Sequence, residues 1–173
     1  MKMTDYDPIK ALEIAISTEK TGLKTYLDFA YKTKDESGKN MFIRLASDEF
    51  EHMSILEKQR ESIQEKECWI AVKLGKSDIE RIIPEIKSKS AKIKGSEGLD
   101  QMSALRTALD MEDRAIKFYR EQAQLSIDPK AKEMYERLVK MEQAHYELIQ
   151  AEIDYIEKTG FWFNLREFSL ELE

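Results

Sequence analysis

Cysteine, histidine, glycine and proline are all scarce in this chain of 173 residues. Its one cysteine, Cys68, excludes an internal disulfide framework and any CxxC metal knuckle, which fits a reducing, cytoplasmic setting. Cys68 itself is expected to be a small buried residue, since it has no resolving partner for thiol chemistry. No stretch approaches the roughly 18 apolar residues of a membrane helix. The opening MKMTDYDPIKALEIA carries acids where a secretory signal would be basic and then apolar, so no targeting segment is expected. A net charge of −6 argues against nucleic acid or anionic membranes as partners. What is abundant is Glu, Lys, Leu, Ile and Ala, all strong helix formers, and the composition predicts an all-α protein. The length suffices for one domain with a sizeable core.

Four long helices can be placed. Asp7-Pro8 reads as an N-cap followed by proline at the first helical position, with Leu12, Ala15, Ile16, Leu23, Tyr26, Leu27 and Ala30 as the inward stripe. KTKDESGKN, residues 32–40, reads as a turn. A second helix carries Met41, Phe42, Leu45, Ala46, Met53 and Leu56 and ends in the sixties. Asp100 can cap a third, with Leu105, Ala108, Leu109, Ile116, Tyr119 and Ala123 inward. Asp128-Pro129 opens a fourth, lined by Met134, Leu138, Met141, Leu148 and Ile149. Between the pairs runs a crossover of about residues 66–99. There Ser77 and Glu80 have capping-box spacing, Pro84 limits the helix, and Gly95, Ser96 and Gly98 mark a loop. Lys87, Lys89, Lys92 and Lys94 read as a solvated face. The domain expected is a four-helix bundle over residues 1–160, two helical hairpins joined by a long helical crossover. An aromatic tail over 161–173, with Phe161, Trp162, Phe163 and Phe168, would cover an open end of the bundle or form a dimer contact.

The chain repeats itself. Residues 12–56 laid on residues 105–149, an offset of 93 without gaps, give 13 identities in 45 positions. The matches include Glu19 with Glu112, Tyr26 with Tyr119, Glu49 with Glu142, and His52 with His145. The two histidines of the chain thus both lie three residues after a glutamate, on the same helical face as that glutamate. All four glutamates fall on the apolar stripes. Taking even one carboxylate out of water without a partner costs several kcal/mol as a rough figure, and four together repel one another. No Lys or Arg clearly occupies the inner stripes, whereas two divalent cations would balance four carboxylates, with neutral imidazoles completing the set. A glutamate from each of two helices and Glu-x-x-His from each of the other two is the ligand set of di-iron and di-manganese carboxylate bundles. Glu49 and Glu142 would bridge, Glu19 and His52 would complete one position, and Glu112 and His145 the other. Oxygen and nitrogen ligands without thiolate favour Fe or Mn over structural Zn, although Mn or Zn can occupy the same ligands. One Glu-x-x-His pair in a Glu-rich helix can be coincidence; two at matched repeat positions with matched partners point to metal.

The stretches STEKTGLKTYLDFA, ASDEFEHMSIL, LDMEDRAIKFY and VKMEQAHYELI resemble the rubrerythrin branch of the ferritin-like superfamily, over about residues 8–156. The resemblance implies a ferritin-like bundle with two Fe ions and an oxidoreductase role in oxidative stress. It implies reduction of hydrogen peroxide, or reaction with O2, fed by a separate rubredoxin-type donor, and a homodimer. Ferrous iron oxidation, and iron binding without turnover, remain the alternatives. It also implies that Tyr26 and Tyr119 hydrogen-bond metal carboxylates. The related bacterioferritins use an Asp before the bridging Glu to hold a ligand histidine across the bundle, so Asp48 is expected to orient His145. Met141 holds the matching place in the second repeat, leaving His52 without such a partner, and two unequal metal positions are expected. Two departures stand out. The two CxxC knuckles of a rubredoxin domain are absent. The extra glutamate that rubrerythrins carry one turn after the third-helix ligand, associated with iron moving between sites, is Ala115 here, mirrored by Gly22. The ligand set is therefore the plainer six-residue pattern.

Overall fold

The structure is a computed structural model and describes residues 6–72, 75–83 and 99–162. Four long helices dominate it: α1 Pro8–Lys32, α2 Glu36–Lys66, α3 Leu99–Leu125 and α4 Pro129–Thr159. Among the described residues there is no strand, and the fold is an all-α ferritin-like bundle. Three helix starts are set by aspartate side chains that accept hydrogen bonds from otherwise unpaired N–H groups. Asp7 accepts from Ile9 and Lys10, and Asp128 from Lys130 and Ala131, each followed by proline at the first position. Asp35 accepts from Ser37 and Gly38. Asp35 and Asp128 are repeat equivalents, so one device opens the second helix of both hairpins. Because Asp35 caps α2, the turn is only residues 33–35, shorter than the 32–40 expected. Gly38 lies inside the helix, where the Trp162 ring packs so closely that an added Cβ would come within 2.5 Å of it. Helix α3 begins at Leu99, one residue before its expected cap.

α1 packs along α2, and α3 along α4, as two antiparallel hairpins. Their apolar stripes form two core clusters. One gathers Tyr26, Phe42, Leu45, Leu105, Leu148 and Ile149; the other gathers Leu12, Ile16, Leu56, Tyr119, Tyr135 and Leu138. The clusters draw on opposite halves of each helix, so the middle of the bundle is left to the acids between them. Complete burial of each such side chain contributes about 1.5–3 kcal/mol. Leu27 departs from the expected inward stripe and is half-exposed. Leu23, Tyr26 and Ala30 complete the stripe, and one residue past Tyr26 the helix has turned about 100° away.

The described part of the crossover is tied down by side chains. Ser77 N–H donates to Glu80 (2.8 Å) and Glu80 N–H to Ser77 Oγ (3.2 Å), a closed capping box that opens the helical residues 78–83. Glu80 also pairs with Arg137 of α4. Ile79, Ile82 and Ile83 are buried in the first cluster. The Gln59 amide clamps Ile70, accepting from its N–H at 3.1 Å and donating to its carbonyl at 2.8 Å. Cys68 is exposed, not buried as expected. Glu67, in the left-handed conformation (φ 53°), ends α2, and the next residue swings outward while its carbonyl accepts from Ser62 Oγ. Gly160 ends α4 in the same conformation (φ 75°), after which Phe161 is exposed and Trp162 is buried edge-on against Phe42. Pro84, Lys87, Lys89, Lys92, Lys94, Gly95, Ser96, Gly98, Phe163 and Phe168 lie outside the described residues. No helix among the described residues is long and apolar enough to cross a membrane.

Candidate metal centre

Each long helix contributes one glutamate to the gap between the two clusters. Glu19 comes from α1, Glu49 and His52 from α2, Glu112 from α3, and Glu142 and His145 from α4. All six residues are buried, none more than 4 % exposed. They form two overlapping groups whose donor atoms lie within 4.8 Å of one another: Glu19, Glu49, His52 and Glu142, and Glu49, Glu112, Glu142 and His145. Glu49 and Glu142 belong to both. The imidazole rings lie nearly parallel, their centroids 5.5 Å apart. His52 Nδ1 lies 2.9 Å from Glu142 and 3.4 Å from Glu19. His145 Nδ1 lies 3.3 Å from Glu142, 3.6 Å from Glu49 and 3.7 Å from Glu112. Both rings therefore turn Nδ1 toward the carboxylates.

The surrounding contacts repeat with the chain, but not completely. Tyr26 donates to Glu112, and Tyr119 donates to Glu19. Each tyrosine reaches the carboxylate of the opposite hairpin rather than the one on its own helix. The sequence placed both tyrosines near the acids, but the crossing is a product of the tertiary packing. Asp48 lies 3.1 Å from His145 Nε2. A carboxylate there makes Nε2 the protonated nitrogen and leaves the Nδ1 lone pair facing inward. His52 Nε2 is buried and has no hydrogen-bond partner among the described residues.

The donor set fits divalent cations. Glu19 Oε2, both Glu142 carboxylate oxygens and Nδ1 of each histidine are buried without a hydrogen bond among the described residues. Left unmet, each such atom costs about 1–3 kcal/mol. Burial, reinforced by Glu142, pushes the Glu19 carboxyl well above the ordinary carboxylate range. Burial together with Glu19 does the same to Glu49, and burial with Glu142 to Glu112. Glu142 alone is held low: burial works against its charge, but His52 and His145 on either side outweigh it. Burial likewise opposes charge on the histidines, yet His52 is raised by Glu142, and His145 by Asp48 and the nearby glutamates. Burial and Glu112 raise Tyr26, keeping its hydroxyl a donor. The site thus carries an excess of acid that only protons or cations relieve.

A cavity of about 30 Å³ lies against the four glutamates, walled by Thr18 and Gly22 of α1 and by Met111 and Ala115 of α3. Sequence reading singled out Gly22 and Ala115 but not Thr18 and Met111. Their only signal was position, each one residue before a cluster glutamate in its repeat.

No curated protein and no solved structure matches the chain in the comparisons made. The family model for rubrerythrins matches residues 10–153, which reach into all four helices and include every residue of the cluster, and on that match the chain belongs to the rubrerythrin family.

Proposed function

We propose that the chain is a non-haem di-iron protein that performs redox chemistry on hydrogen peroxide or O2, with peroxide reduction as its leading reaction. The observation that supports this reading is the pair of overlapping buried groups sharing Glu49 and Glu142. Glu19 and His52 complete one metal position, and Glu112 and His145 the other. Oxygen and nitrogen donors without thiolate suit iron, and Mn or Zn can take the same ligands. Two Fe²⁺ held by these residues would supply the two electrons that, with two protons, would convert one hydrogen peroxide into two waters. The rest is the work of the chain. Tyr26 and Tyr119 pin Glu112 and Glu19, Asp48 aims His145, and the two apolar clusters keep bulk water from the ends of the site. Electrons return from a separate rubredoxin-type donor, and the working form is a homodimer in the cytoplasm.

Ala115, standing where rubrerythrins have an extra glutamate, favours a second reading: ferrous iron oxidation, or iron binding without turnover. Metal analysis after growth in iron-rich medium, followed by stopped-flow oxidation with peroxide and with O2, separates them. The leading reaction predicts iron in the protein, faster oxidation by peroxide than by O2, and repeated cycles with a reductant. Equal, slow rates with both oxidants would remove it, and loading that stops after one oxidation would favour the second reading.

A further inference from the structure

Two aromatic ladders run outward from the carboxylates. In one, Tyr26 stacks on Phe42 with ring centroids 6.2 Å apart, and Phe42 meets the edge of Trp162 at 5.7 Å. In the other, Tyr119 stacks on Tyr135 at 6.1 Å, and Tyr135 meets Trp69 edge-on at 6.1 Å. All three rungs correspond at the repeat offset of 93, and each tryptophan follows one hairpin and packs on the other. At the inner ends Tyr26 donates to Glu112 and Tyr119 to Glu19. The inner rings are fully buried, whereas Trp69 is 8 % and Trp162 7 % exposed. The ladders differ in one group, the hydroxyl of Tyr135, where the first ladder has Phe42. Packing does not require it, since Phe42 fills the same rung with a bare ring. It is buried and makes no hydrogen bond among the described residues. The Tyr6 hydroxyl lies near it but bonds Ser126 at 3.0 Å. Burying such a group costs stability. What the hydroxyl changes is the chemistry of the ring. A phenol, like an indole, can give one electron to a strong oxidant and take it back; a phenyl ring cannot. Electron transfer weakens steeply with distance, so rings in contact pass an electron far faster than one jump across their combined length.

We propose that Tyr119, Tyr135 and Trp69 form a one-electron path between the carboxylate cluster and the protein surface, and that Phe42 closes the equivalent path in the other ladder. The use of the path rests on the di-metal reading; its geometry does not. Converting hydrogen peroxide into two waters takes two electrons and two protons. A site holding a single Fe²⁺ has one electron to give. Tyr119 supplies the other as its hydroxyl proton passes to the Glu19 carboxylate it already bonds. Tyr135 refills Tyr119, which recovers that proton, and Trp69 refills Tyr135, whose hydroxyl is left as it began. The indole proton of Trp69 leaves to solvent and returns when an enediol reductant such as ascorbate gives back the electron. The two protons of the reaction come from solvent. A half-loaded site thus completes the reduction of peroxide.

The path itself is tested in metal-free protein. Azidyl radical made by pulse radiolysis oxidises tryptophan, and absorption then follows transfer from tryptophan to tyrosine within the chain. Wild type is expected to show tyrosyl absorption rising as tryptophanyl absorption decays. Tyr135→Phe and Trp69→Phe should lose this transfer, and Trp162→Phe should keep it. Phe42 shows that a bare ring is accommodated at the Tyr135 rung, so loss of the fold does not confuse the result. Equal transfer in wild type and Tyr135→Phe, no transfer in wild type, or loss in Trp162→Phe alone would each overturn the path. Its use is tested by peptide mass spectrometry after peroxide is added to protein carrying one Fe²⁺ per chain, without reductant. Trp69 should carry more oxidation product than the equally exposed Trp162, and Tyr135→Phe or added ascorbate should remove the difference. Equal damage to the two indoles in wild type would overturn the use. Transfer intact in a protein that takes up no Fe²⁺ would overturn the di-metal reading and the use with it, and leave the path standing.

Discussion

Asp48 meets His145 across the bundle, Oδ2 to Nε2 at 3.1 Å, while the corresponding nitrogen of His52 has no partner among the described residues. The two repeats match in their glutamates, histidines and tyrosines, and differ here because Met141, buried and unable to replace a carboxylate, takes the equivalent place. A carboxylate behind a ligand imidazole fixes its tautomer and raises its basicity. Asp48→Ala is therefore expected to weaken one metal position by about 10–100-fold and leave the other unchanged. Asp48→Asn, which can still accept from Nε2–H, should restore part of the loss. Stepwise anaerobic Fe²⁺ titration by calorimetry reads both. Equal weakening of the two steps would mean that Asp48 acts on the bundle as a whole.

Shared and unshared carboxylates should behave differently. Glu49 and Glu142 enter both groups, whereas Glu19 enters one. Glu19→Gln is expected to remove one class of bound metal and Glu49→Gln both. In the unsubstituted protein, metal should raise the melting temperature, since a ligand bound only by the folded state stabilises it. Metal content after dialysis, measured beside melting curves, checks this. Identical losses in the two variants would contradict the shared geometry.

Tyr26→Phe and Tyr119→Phe each leave a buried carboxylate oxygen without its donor. Each should cost about 1–3 kcal/mol of folding stability in metal-free protein. The two losses should be similar, because the crossed contacts are repeat equivalents. Urea unfolding measures both, and no loss in either would show that the hydroxyls do not hold the glutamates.

Gly38→Ala drives a Cβ to within 2.5 Å of the buried Trp162 ring, whereas a Cβ on Gly75 meets nothing within 4 Å. The first substitution should destabilise by about 1–3 kcal/mol with a red shift of tryptophan emission. Gly75→Ala should be close to neutral. A Gly38→Ala, Trp162→Ala double variant should lose no more than Trp162→Ala alone. If it does, the clash is not the cause.

Glu80 links the crossover to α4. Partial burial works against its charge, but the Arg137 guanidinium and the Ser77 N–H hold its carboxyl below the ordinary 4.5. A depressed folded value means that the pair stabilises above about pH 4.5 and that this contribution disappears as the pH falls through the folded value. Glu80→Gln should therefore be less stable than wild type at neutral pH, with the gap closing in acid below the ordinary carboxylate range, as the pH falls through the folded value. A gap of equal size at both pH values would assign the loss to something other than the charge.

The sequence by itself determined the helical class, the caps at Asp7 and Asp128, the capping box at Ser77 and Glu80, and the six residues that meet at the centre. Each of these rests on local rules. Capping depends on side chains two or three residues away, inward stripes on helical periodicity, and the cluster on a repeat that copies one hairpin. Local rules also misplaced residues where a neighbour decided the outcome. Leu27 looked inward until the stripe was completed without it, and Cys68 looked buried until Glu67 turned the chain outward. Asp35 was hidden inside a stretch read as a loop because its capping partners were not weighed. Only the tertiary structure decided which hairpin each tyrosine serves. It also left one imidazole held from behind and the other not. These depend on how the two hairpins are brought together, and the distances between them are not encoded in the spacing within either one.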